Sequence, residues 1–288
     1  MSEHPAMFWS AAENGAVRCS LCPHNCHIPE STVGFCGVRK NNNGRLYAAN
    51  YGRVSAVALD PIEKKPLRCF HPGNHVLSIG GFGCNFRCPF CQNSHISMEY
   101  DVADRDVKML SPGQITELAK SLSSKSNIGV AYTYNEPLIG YEFLIDCARL
   151  VRDAGLCNIV VTNGYINREP LETLLPLIDA MNIDLKGFTD GFYNKLGGSL
   201  KAVKYTIALA HRHCHVEVTT LVIPGENEDD VEALAAWLAS LDPDIPLHLS
   251  RFFPRYKYAD KTPTSPETIR RLGETARKYL SRVFIGNM

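Results

Sequence analysis

The chain carries the stretch Gly83-Cys84-Asn85-Phe86-Arg87-Cys88-Pro89-Phe90-Cys91-Gln92-Asn93 directly after a short apolar segment. Its C-x3-C-x2-C spacing places three thiols, Cys84, Cys88 and Cys91, on one compact loop and supplies no fourth. A cubane iron–sulfur cluster has four iron corners, so three protein ligands leave one iron open. An open coordination position is typical of a reactive metal site, as in catalytic zinc centres. The stretch therefore predicts a metal centre, such as an iron–sulfur cluster, that binds a further molecule.

Two other interpretations of these cysteines remain open. A zinc site could use His95, four residues after Cys91, as its fourth ligand. Structural zinc sites usually bring a second Cys or His pair, however, and none follows nearby. The three thiols could also be ordinary buried side chains, because free cysteine is often buried. Their spacing in a loop rich in Gly, Pro and Asn after an apolar strand favours the metal centre.

Length, charge and cysteine content limit the class of protein. The chain has 288 residues, with 30 basic and 30 acidic side chains, so its formal net charge is zero. Without an excess of positive charge, nucleic acid is not an expected partner. No apolar run is long enough to cross a bilayer and Met1–Pro5 shows no signal-peptide pattern, so we expect no membrane association. Eleven cysteines then indicate a reducing cytoplasm and metal ligands rather than disulfides.

The order of apolar segments predicts an α/β fold. From about residue 74, short apolar strands alternate with helical patterns, which is typical of βα units and a parallel sheet. The predicted strands are His75–Ile79, Ile128–Thr133, Asn158–Val161, Ala180–Asp184, His215–Val222 and Pro246–Ser250, with Val283–Gly286 as a further candidate. The predicted helices begin near Ser111 and cover Gly140–Ala154, Arg168–Leu177, Val203–His213, Glu228–Leu241 and Pro266–Leu280. About six repeats predict a partial (β/α)6 barrel of the TIM type over residues 73–288.

Polar residues follow each predicted strand at its carboxyl end. The cysteine loop follows the first strand, and Thr133–Pro137, Thr162–Tyr165, Asp184–Gly187, Ile223–Asn227 and His248–Pro254 end or follow the others. The carboxyl ends of barrel strands meet at one rim, which is where α/β barrels build their active sites. We therefore expect these loops to surround the cysteine loop.

A second group of cysteines lies in residues 1–72, which we interpret as a Cys-rich N-terminal extension with a short β-element formed by Leu46–Ala49 and Val54–Leu59. Its four thiols lie within 18 residues and are Cys19, Cys22, Cys26 and Cys36. Four thiolates form a closed shell suited to a second iron–sulfur cluster or to structural zinc. Metal binding can fold such an irregular, Gly-rich segment. Reduced thiols without a metal remain the alternative.

The cysteine loop, with an aromatic residue before its last cysteine, resembles the motif of the radical S-adenosylmethionine (SAM) superfamily. In that family the open iron binds the amino and carboxylate groups of SAM. The reduced cluster splits SAM into methionine and a 5′-deoxyadenosyl radical, which abstracts hydrogen from a substrate. The resemblance thus implies a radical SAM enzyme with a [4Fe-4S] cluster and SAM as cofactors, in which the protein orients both.

The resemblance also implies roles for residues on the rim. Glu136 stands in Tyr-Asn-Glu-Pro where relatives carry Gly-Gly-Glu-Pro, so it would receive the methionine ammonium, with Asn135 in the place of a glycine. Thr162-Asn163-Gly164 and Asp184-Leu185-Lys186 resemble stretches of glycyl-radical-enzyme activating enzymes that lie near the ribose and carboxylate of SAM. Lys186 would pair with that carboxylate. Glu136 could instead be a plain loop-end carboxylate, and Asn163-Gly164 a simple turn.

Three further residues complete the predicted site. We expect Phe90 to back the adenine or to shield the cluster from solvent. His248 and Arg251, on the strand after the fifth repeat, are expected to face the barrel interior with Ser250. There they would touch SAM or substrate, or else satisfy polar groups of the rim.

The chain as a whole resembles the radical SAM component of the AmmeMemoRadiSam system, a relative of pyruvate formate-lyase activating enzymes. The motifs that carry this resemblance are Cys-Ser-Leu-Cys-Pro-His-Asn-Cys-His-Ile from Cys19, Asp-Pro-Ile-Glu-Lys-Lys-Pro from Asp60, Thr-Thr-Leu-Val-Ile-Pro-Gly from Thr219 and His-Leu-Ser-Arg-Phe-Phe-Pro from His248. It implies hydrogen abstraction from a substrate, such as a glycine of a partner protein, and an electron donor such as flavodoxin or ferredoxin. The alternative is a non-catalytic iron–sulfur or zinc scaffold that binds a partner.

Overall fold

The main sheet of the computed structural model, which describes residues 4–98 and 107–288, has eight strands. They are β1 (Ala56–Pro61), β2 (His75–Gly80), β3 (Asn127–Tyr132), β4 (Cys157–Thr162), β5 (Ala180–Asp184), β6 (His215–Val222), β7 (Leu247–Arg251) and β8 (Val283–Gly286). Strands β2 to β8 are parallel and lie side by side in sequence order. β1 is antiparallel to β2 and forms the other edge of the sheet. This is the order that successive βα units produce in a partial barrel.

Helices cover the outer face of the sheet. They are α1 (Pro112–Ser121), α2 (Tyr141–Asp153), α3 (Arg168–Leu174), α4 (Asp190–Leu196), α5 (Leu200–Ala210), α6 (Val231–Leu241) and α7 (Pro266–Ala276), and Ser94–Ser97 forms a single further turn. Each buries one apolar side, as α2 does with Leu144, Ala148 and Val151, in the core shared with the strands. Across residues 4–98 and 107–288, no helix combines the length and the apolar character needed to cross a membrane.

The predicted partial barrel is confirmed, with differences at its edges. Val283–Gly286 does form a strand, so the structure has seven parallel strands rather than six. Helix α1 begins as predicted, because Ser111 Oγ accepts from Gln114 N and the Gln114 side chain accepts from Ser111 N. Helix α4 was not predicted, since seven residues give too short a periodic pattern.

The predicted β-element of the extension is arranged differently. Arg45–Ala48 pairs with His4–Pro5 and Arg39–Asn42 in a small sheet, whereas β1 joins the main sheet. The domain boundary predicted between residues 72 and 73 thus passes between two strands that pair along their full length. The remaining short strands are Trp9–Ala11, Val17–Cys19 and His27–Ile28 in a second small sheet, and Arg53–Val54 paired with Lys108–Met109.

Residues 62–70 fold back across the amino end of the barrel. Ile62 and Leu67 are fully buried in one apolar cluster with residues of four strands, namely Val76, Ala131, Ile159 and Ala180. Asn182 Nδ2, from inside β5, donates to Pro66 O at 2.8 Å. The segment therefore closes the end of the barrel that lies opposite the rim.

A buried ion pair joins the extension to the barrel. Arg39 Nη1 lies 2.8 Å from both carboxylate oxygens of Glu142 on α2, and the two side chains are only 1% and 2% exposed. Met7 N donates to Glu142 Oε1 at 2.6 Å, and Arg39 Nη2 donates to Met7 O at 2.5 Å. The two charges and the backbone of Met7 satisfy one another here, so this contact fixes how the extension sits on α2.

We predict that Glu142→Ala lowers the free energy of unfolding by about 3–5 kcal/mol, because it leaves the Arg39 charge buried without a partner. The double variant Arg39→Met, Glu142→Leu should recover part of this loss, since it removes both charges. Urea unfolding followed by circular dichroism measures the effect. Glu117→Ala, which breaks an exposed pair with Lys120, is the control and should cost less than about 1 kcal/mol. An equal loss in both single variants would contradict the role of the buried pair.

Candidate active site

The cysteine loop begins where β2 ends, at the rim of the barrel. Gly83 has φ +83°, and a Cβ there would lie 2.7 Å from Cys36 O and 2.8 Å from Val38 Cγ1, so only glycine fits. Phe86 is fully buried beside Tyr165 and Tyr193. Glycine at the start and a buried aromatic ring in the middle therefore anchor the loop and leave its thiols on the rim.

Two asparagines from neighbouring rim loops form hydrogen bonds with the cysteine loop. Asn135, after β3, accepts from Gly81 N at 2.9 Å through Oδ1 and donates to Gly83 O at 3.1 Å through Nδ2. Asn163, after β4, donates through Nδ2 to Asn85 Oδ1 at 2.8 Å and to Cys84 Sγ at 3.8 Å. The structure thus brings both predicted residues to the cysteine loop, where they position it through hydrogen bonds.

Glu136 is buried between the loops that follow β3 and β4. Its carboxylate accepts from Thr162 Oγ1 at 2.6 Å, from Asn163 N at 2.8 Å and from Leu138 N at 3.0 Å. Burial raises the pKa of Glu136 to about 7, although these three hydrogen bonds oppose the rise. The carboxylate therefore ties two rim loops together, and Thr162 reaches the site as its partner.

Asp184 and Lys186 form an ion pair on the rim after β5. Lys186 Nζ donates to Asp184 Oδ2 at 2.8 Å, and both side chains are partly exposed. Burial acts to lower the pKa of Lys186, but the charges of Asp184 and of Cys88 when ionised raise it above the usual range. Lys186 in turn acts against the burial that raises the pKa of Cys88 to about 12. Lys186 therefore remains protonated and places a positive charge beside the cysteine loop.

The three thiols have the surroundings that an iron–sulfur cluster needs. Burial raises the pKa of Cys84, and the neighbouring thiols, Cys88 and Cys91, raise it further. Cys84 Sγ accepts from Phe86 N at 3.3 Å as well as from Asn163, and such donors stabilise ligated thiolates. Over the described ranges, no three Cys, His, Asp or Glu side chains converge on a single metal ion. A cubane binds each thiolate at a different iron, so the donor set fits a cluster better than one ion.

Two other predicted residues, Phe90 and Arg251, have separate partners. Phe90 is buried between Phe192 and Tyr258, with ring centroids at 6.3 and 6.1 Å. Arg251 Nε donates to Thr264 O at 2.8 Å and its Nη1 donates to Asn287 O at 3.4 Å. Residues three apart on a strand lie on opposite faces, so Arg251 and His248 do not share the interior as expected.

His248 belongs to a polar group inside the barrel that sequence reasoning missed. Its Nε2 lies 2.5 Å from Glu217 Oε2, and His215 Nε2 lies 2.9 Å from Glu217 Oε1. Burial acts to raise the pKa of Glu217, but these histidines and the amides of Arg68 and Cys69 lower it to about 2. A glutamate within an apolar strand was the signal that could have revealed the group, because such a charge requires partners.

A second buried group uses the Asp60-Pro-Ile-Glu-Lys-Lys-Pro motif, for which sequence analysis predicted no structural role. Lys65 Nζ donates to Asp60 Oδ2 at 2.6 Å and Tyr134 OH donates to the same oxygen at 2.7 Å. Burial acts to raise the pKa of Asp60, but its hydrogen bonds from Lys64, Lys65 and Tyr134 lower it below the usual range. This group connects β1 with the loop that carries Asn135 and Glu136.

Comparison with known proteins agrees with this geometry. The profile of the Radical SAM superfamily matches residues 78–238, which is more than half of the chain. The chain therefore belongs to the radical SAM superfamily. It is 42% identical over 289 residues to an uncharacterised protein of Methanocaldococcus jannaschii, covering 98% of this chain and 85% of that protein.

More distant relatives have named activities. The chain is 26% identical over 155 residues to the pyruvate formate-lyase 1-activating enzyme of Escherichia coli K12, covering 52% of this chain and 62% of that enzyme. The crystal structure of Streptococcus suis SuiB bound to precursor peptide SuiA has the same fold, with a TM-score of 0.55 and 14% identity over 71% of this chain and 46% of that one. The predicted membership of the radical SAM superfamily is confirmed, and the resemblance to the AmmeMemoRadiSam component stays a prediction.

We predict that Glu136 makes stability depend on pH. Its pKa is about 7 in the folded chain and near 4.5 otherwise, so the folded state binds more protons between these values. The stability of the wild type, without SAM, should therefore fall as pH rises from about 5 to about 8, by up to about 3 kcal/mol relative to Glu136→Gln. Urea unfolding at several pH values measures this difference. Glu172→Gln, at a half-exposed site on α3, keeps Glu136 and should therefore keep the pH dependence of the wild type. Parallel curves for wild type and Glu136→Gln would refute the prediction.

Proposed function

We propose that this protein cleaves SAM reductively at a [4Fe-4S] cluster held by Cys84, Cys88 and Cys91. The observation that carries the proposal is the Asp184–Lys186 pair beside these thiols on the barrel rim. The methionine end of SAM bears an ammonium and a carboxylate, and this pair offers one charge of each sign. When both cofactors are bound, the cluster supplies the electron that splits SAM into methionine and a 5′-deoxyadenosyl radical, which abstracts hydrogen from the substrate.

Each rim residue then has a defined task. Lys186 binds the methionine carboxylate as a point charge, and Asp184 keeps Lys186 protonated and turned toward the rim. Glu136 has one free lone pair on its buried carboxylate, through which it attracts the ammonium. Asn135 and Asn163 keep the cysteine loop in register with these charges. Phe90 shields one side of the cysteine loop from water.

The substrate that fits best is a glycine of a partner protein, as in glycyl-radical-enzyme activation. The similarity to an activating enzyme at 26% identity supports this assignment. An electron donor of the flavodoxin or ferredoxin type is part of the same proposal, because a low-potential cluster must be reduced. So is a reducing cytoplasm, because eleven free cysteines are typical of a reducing compartment. A non-catalytic scaffold is less consistent with the site, since a scaffold has no need of a paired charge beside an open cluster.

The cleavage assay tests the function directly. The protein is reconstituted anaerobically with iron and sulfide, reduced with dithionite and supplied with SAM, and 5′-deoxyadenosine is measured. We expect the wild type to form the nucleoside and Cys84→Ala to form none, because loss of one ligand opens the cluster. Cys69→Ala, outside both cysteine groups, should retain activity. A wild type that binds SAM at an intact cluster but forms no nucleoside with a reductant present would sink the catalytic proposal and favour the scaffold.

Lys186→Met tests the role of the ion pair. Removing a charge-assisted contact should cost about 1.5–3 kcal/mol of SAM binding, which is roughly a 10- to 150-fold rise in Kd. Anaerobic isothermal titration calorimetry on the reconstituted protein measures Kd. Lys120→Met is the matched control, because Lys120 is an exposed lysine whose partner, Glu117, lies on the same helix, α1. An unchanged Kd in Lys186→Met would assign the carboxylate to another residue.

A further inference from the structure

The four cysteines of the N-terminal extension meet at one cavity. Cys19, Cys22, Cys26 and Cys36 line it together, and the other walls come from Leu21, His24, Ile28, Gly34, Arg39 and Ile139. The four thiols arrive from a strand end, a tight loop and the Gly34–Cys36 segment, which are separate parts of the extension. The fold therefore gathers the four cysteines of this group, and no cysteine of the barrel, around one space.

The cavity is prepared for negative charge on sulfur. The backbone amides of His24, Phe35 and Val38 donate to Cys22, Cys26 and Cys36, respectively. Burial nevertheless raises the pKa of Cys22 to about 12 and that of Cys36 to about 11, although the positive charge of Arg39 acts against the rise at Cys36. Amides directed at sulfur are the usual surroundings of thiolates that ligate a metal.

A buried donor on the cavity wall lacks an acceptor. Arg39 lines the cavity and is 1% exposed, and its Nη1 and Nη2 are occupied by Glu142 and Met7. Its Nε has no hydrogen-bond partner within the described residues. A charged N–H left without an acceptor in the interior is costly, so an acceptor inside the cavity would relieve it.

We propose that these four cysteines bind a [4Fe-4S] cluster of their own, separate from the SAM site. Tetrahedral zinc holds its thiolates with Zn–S bonds of about 2.3 Å, which brings the sulfur atoms to about 3.8 Å from one another. In the part of the chain that the structure describes, no three ligand side chains converge in that way. A cubane spreads its four thiolates over four corners, and the inorganic sulfides between them offer the acceptor that Arg39 Nε lacks. Four ligands close the coordination shell, so this cluster has no open iron.

The proposed cluster also helps to hold the SAM site in position. His24 lies between Cys22 and Cys26, and its Nε2 is 2.8 Å from Asn85 O. An N–H at Nε2 donates to this carbonyl oxygen. Arg87 donates to Phe35 O, next to Cys36, and Cys36 O packs against Gly83. The two cysteine loops therefore share hydrogen bonds, and ordering one by metal binding helps to order the other.

The test removes the SAM site and asks what metal remains. The triple variant Cys84→Ala, Cys88→Ala, Cys91→Ala is reconstituted anaerobically in the presence of iron, sulfide and zinc, and its metal and sulfide contents are measured with its Mössbauer spectrum. We expect about four iron and four sulfide per chain, without zinc. Adding Cys22→Ala and Cys26→Ala should remove this iron, whereas adding Cys69→Ala should not.

Each other result would overturn the proposal. One zinc per chain would assign the cavity to structural zinc, two irons would assign a smaller cluster, and no metal in a chain with native circular dichroism would leave bare thiols. Because the triple variant keeps all four extension cysteines, its result does not depend on whether the further variants fold. It is also independent of SAM cleavage, so failure here and failure of the proposed function are distinguishable.

Discussion

The position of the cysteine loop depends on hydrogen bonds from polar side chains that are themselves buried. Asn135 contacts the loop with both ends of its amide group, whereas Asn163 contacts it through Nδ2 alone and accepts from Tyr165 N through Oδ1. Glu136 joins the two loops on which these asparagines lie. A buried amide or carboxylate without partners is costly, so each of these groups is stable only when the others are in place. These hydrogen bonds therefore hold the cysteine loop in place against its two neighbouring loops.

Buried charges play a similar part away from the rim. The Arg39–Glu142 pair fixes the extension on α2, the Asp60–Lys65 pair fixes β1 and residues 62–70, and Glu217 is satisfied by two histidines and two amides. Proteins in which such pairs are replaced by apolar residues are often no less stable. The contribution of the pairs here is therefore to fix the positions of the segments that they join. The observed docking of the extension satisfies all of these charges, and it places Cys36 against Gly83 at the start of the cysteine loop.

Burial favours the protonated form of several thiols in both cysteine groups. Burial raises the pKa of Cys22, Cys36, Cys84 and Cys88 well above the ordinary thiol value. Metal binding must then displace their protons, so loading of both cysteine groups becomes more favourable as pH rises. Lys186 eases this cost at Cys88 and Arg39 eases it at Cys36, because each holds a positive charge close to the sulfur. The two cysteine groups thus use the same electrostatic arrangement.

Sequence predicted the repeating part of the fold and the residues of the rim. Strand and helix periodicity is local, so the bounds of β2 to β8 and the start of α1 were predicted to within a residue or two. Three cysteines within eight residues are also local, and their spacing alone indicates the cluster. What periodicity cannot predict is pairing across long separations. It placed β1 outside the barrel, and it gave His248 and Arg251 the same face although their side chains point to different partners.

The sequence by itself determined a parallel α/β barrel, a three-cysteine loop at one rim and two separate groups of thiols, because each follows from residues close together in the chain. Tertiary structure decided which buried groups satisfy one another: Glu136 with Thr162 and Asn163, and Glu217 with His248. It also decided that the four extension cysteines share one cavity with Arg39. These contacts join residues that lie far apart in sequence, and they form only when the barrel closes and the extension docks on α2.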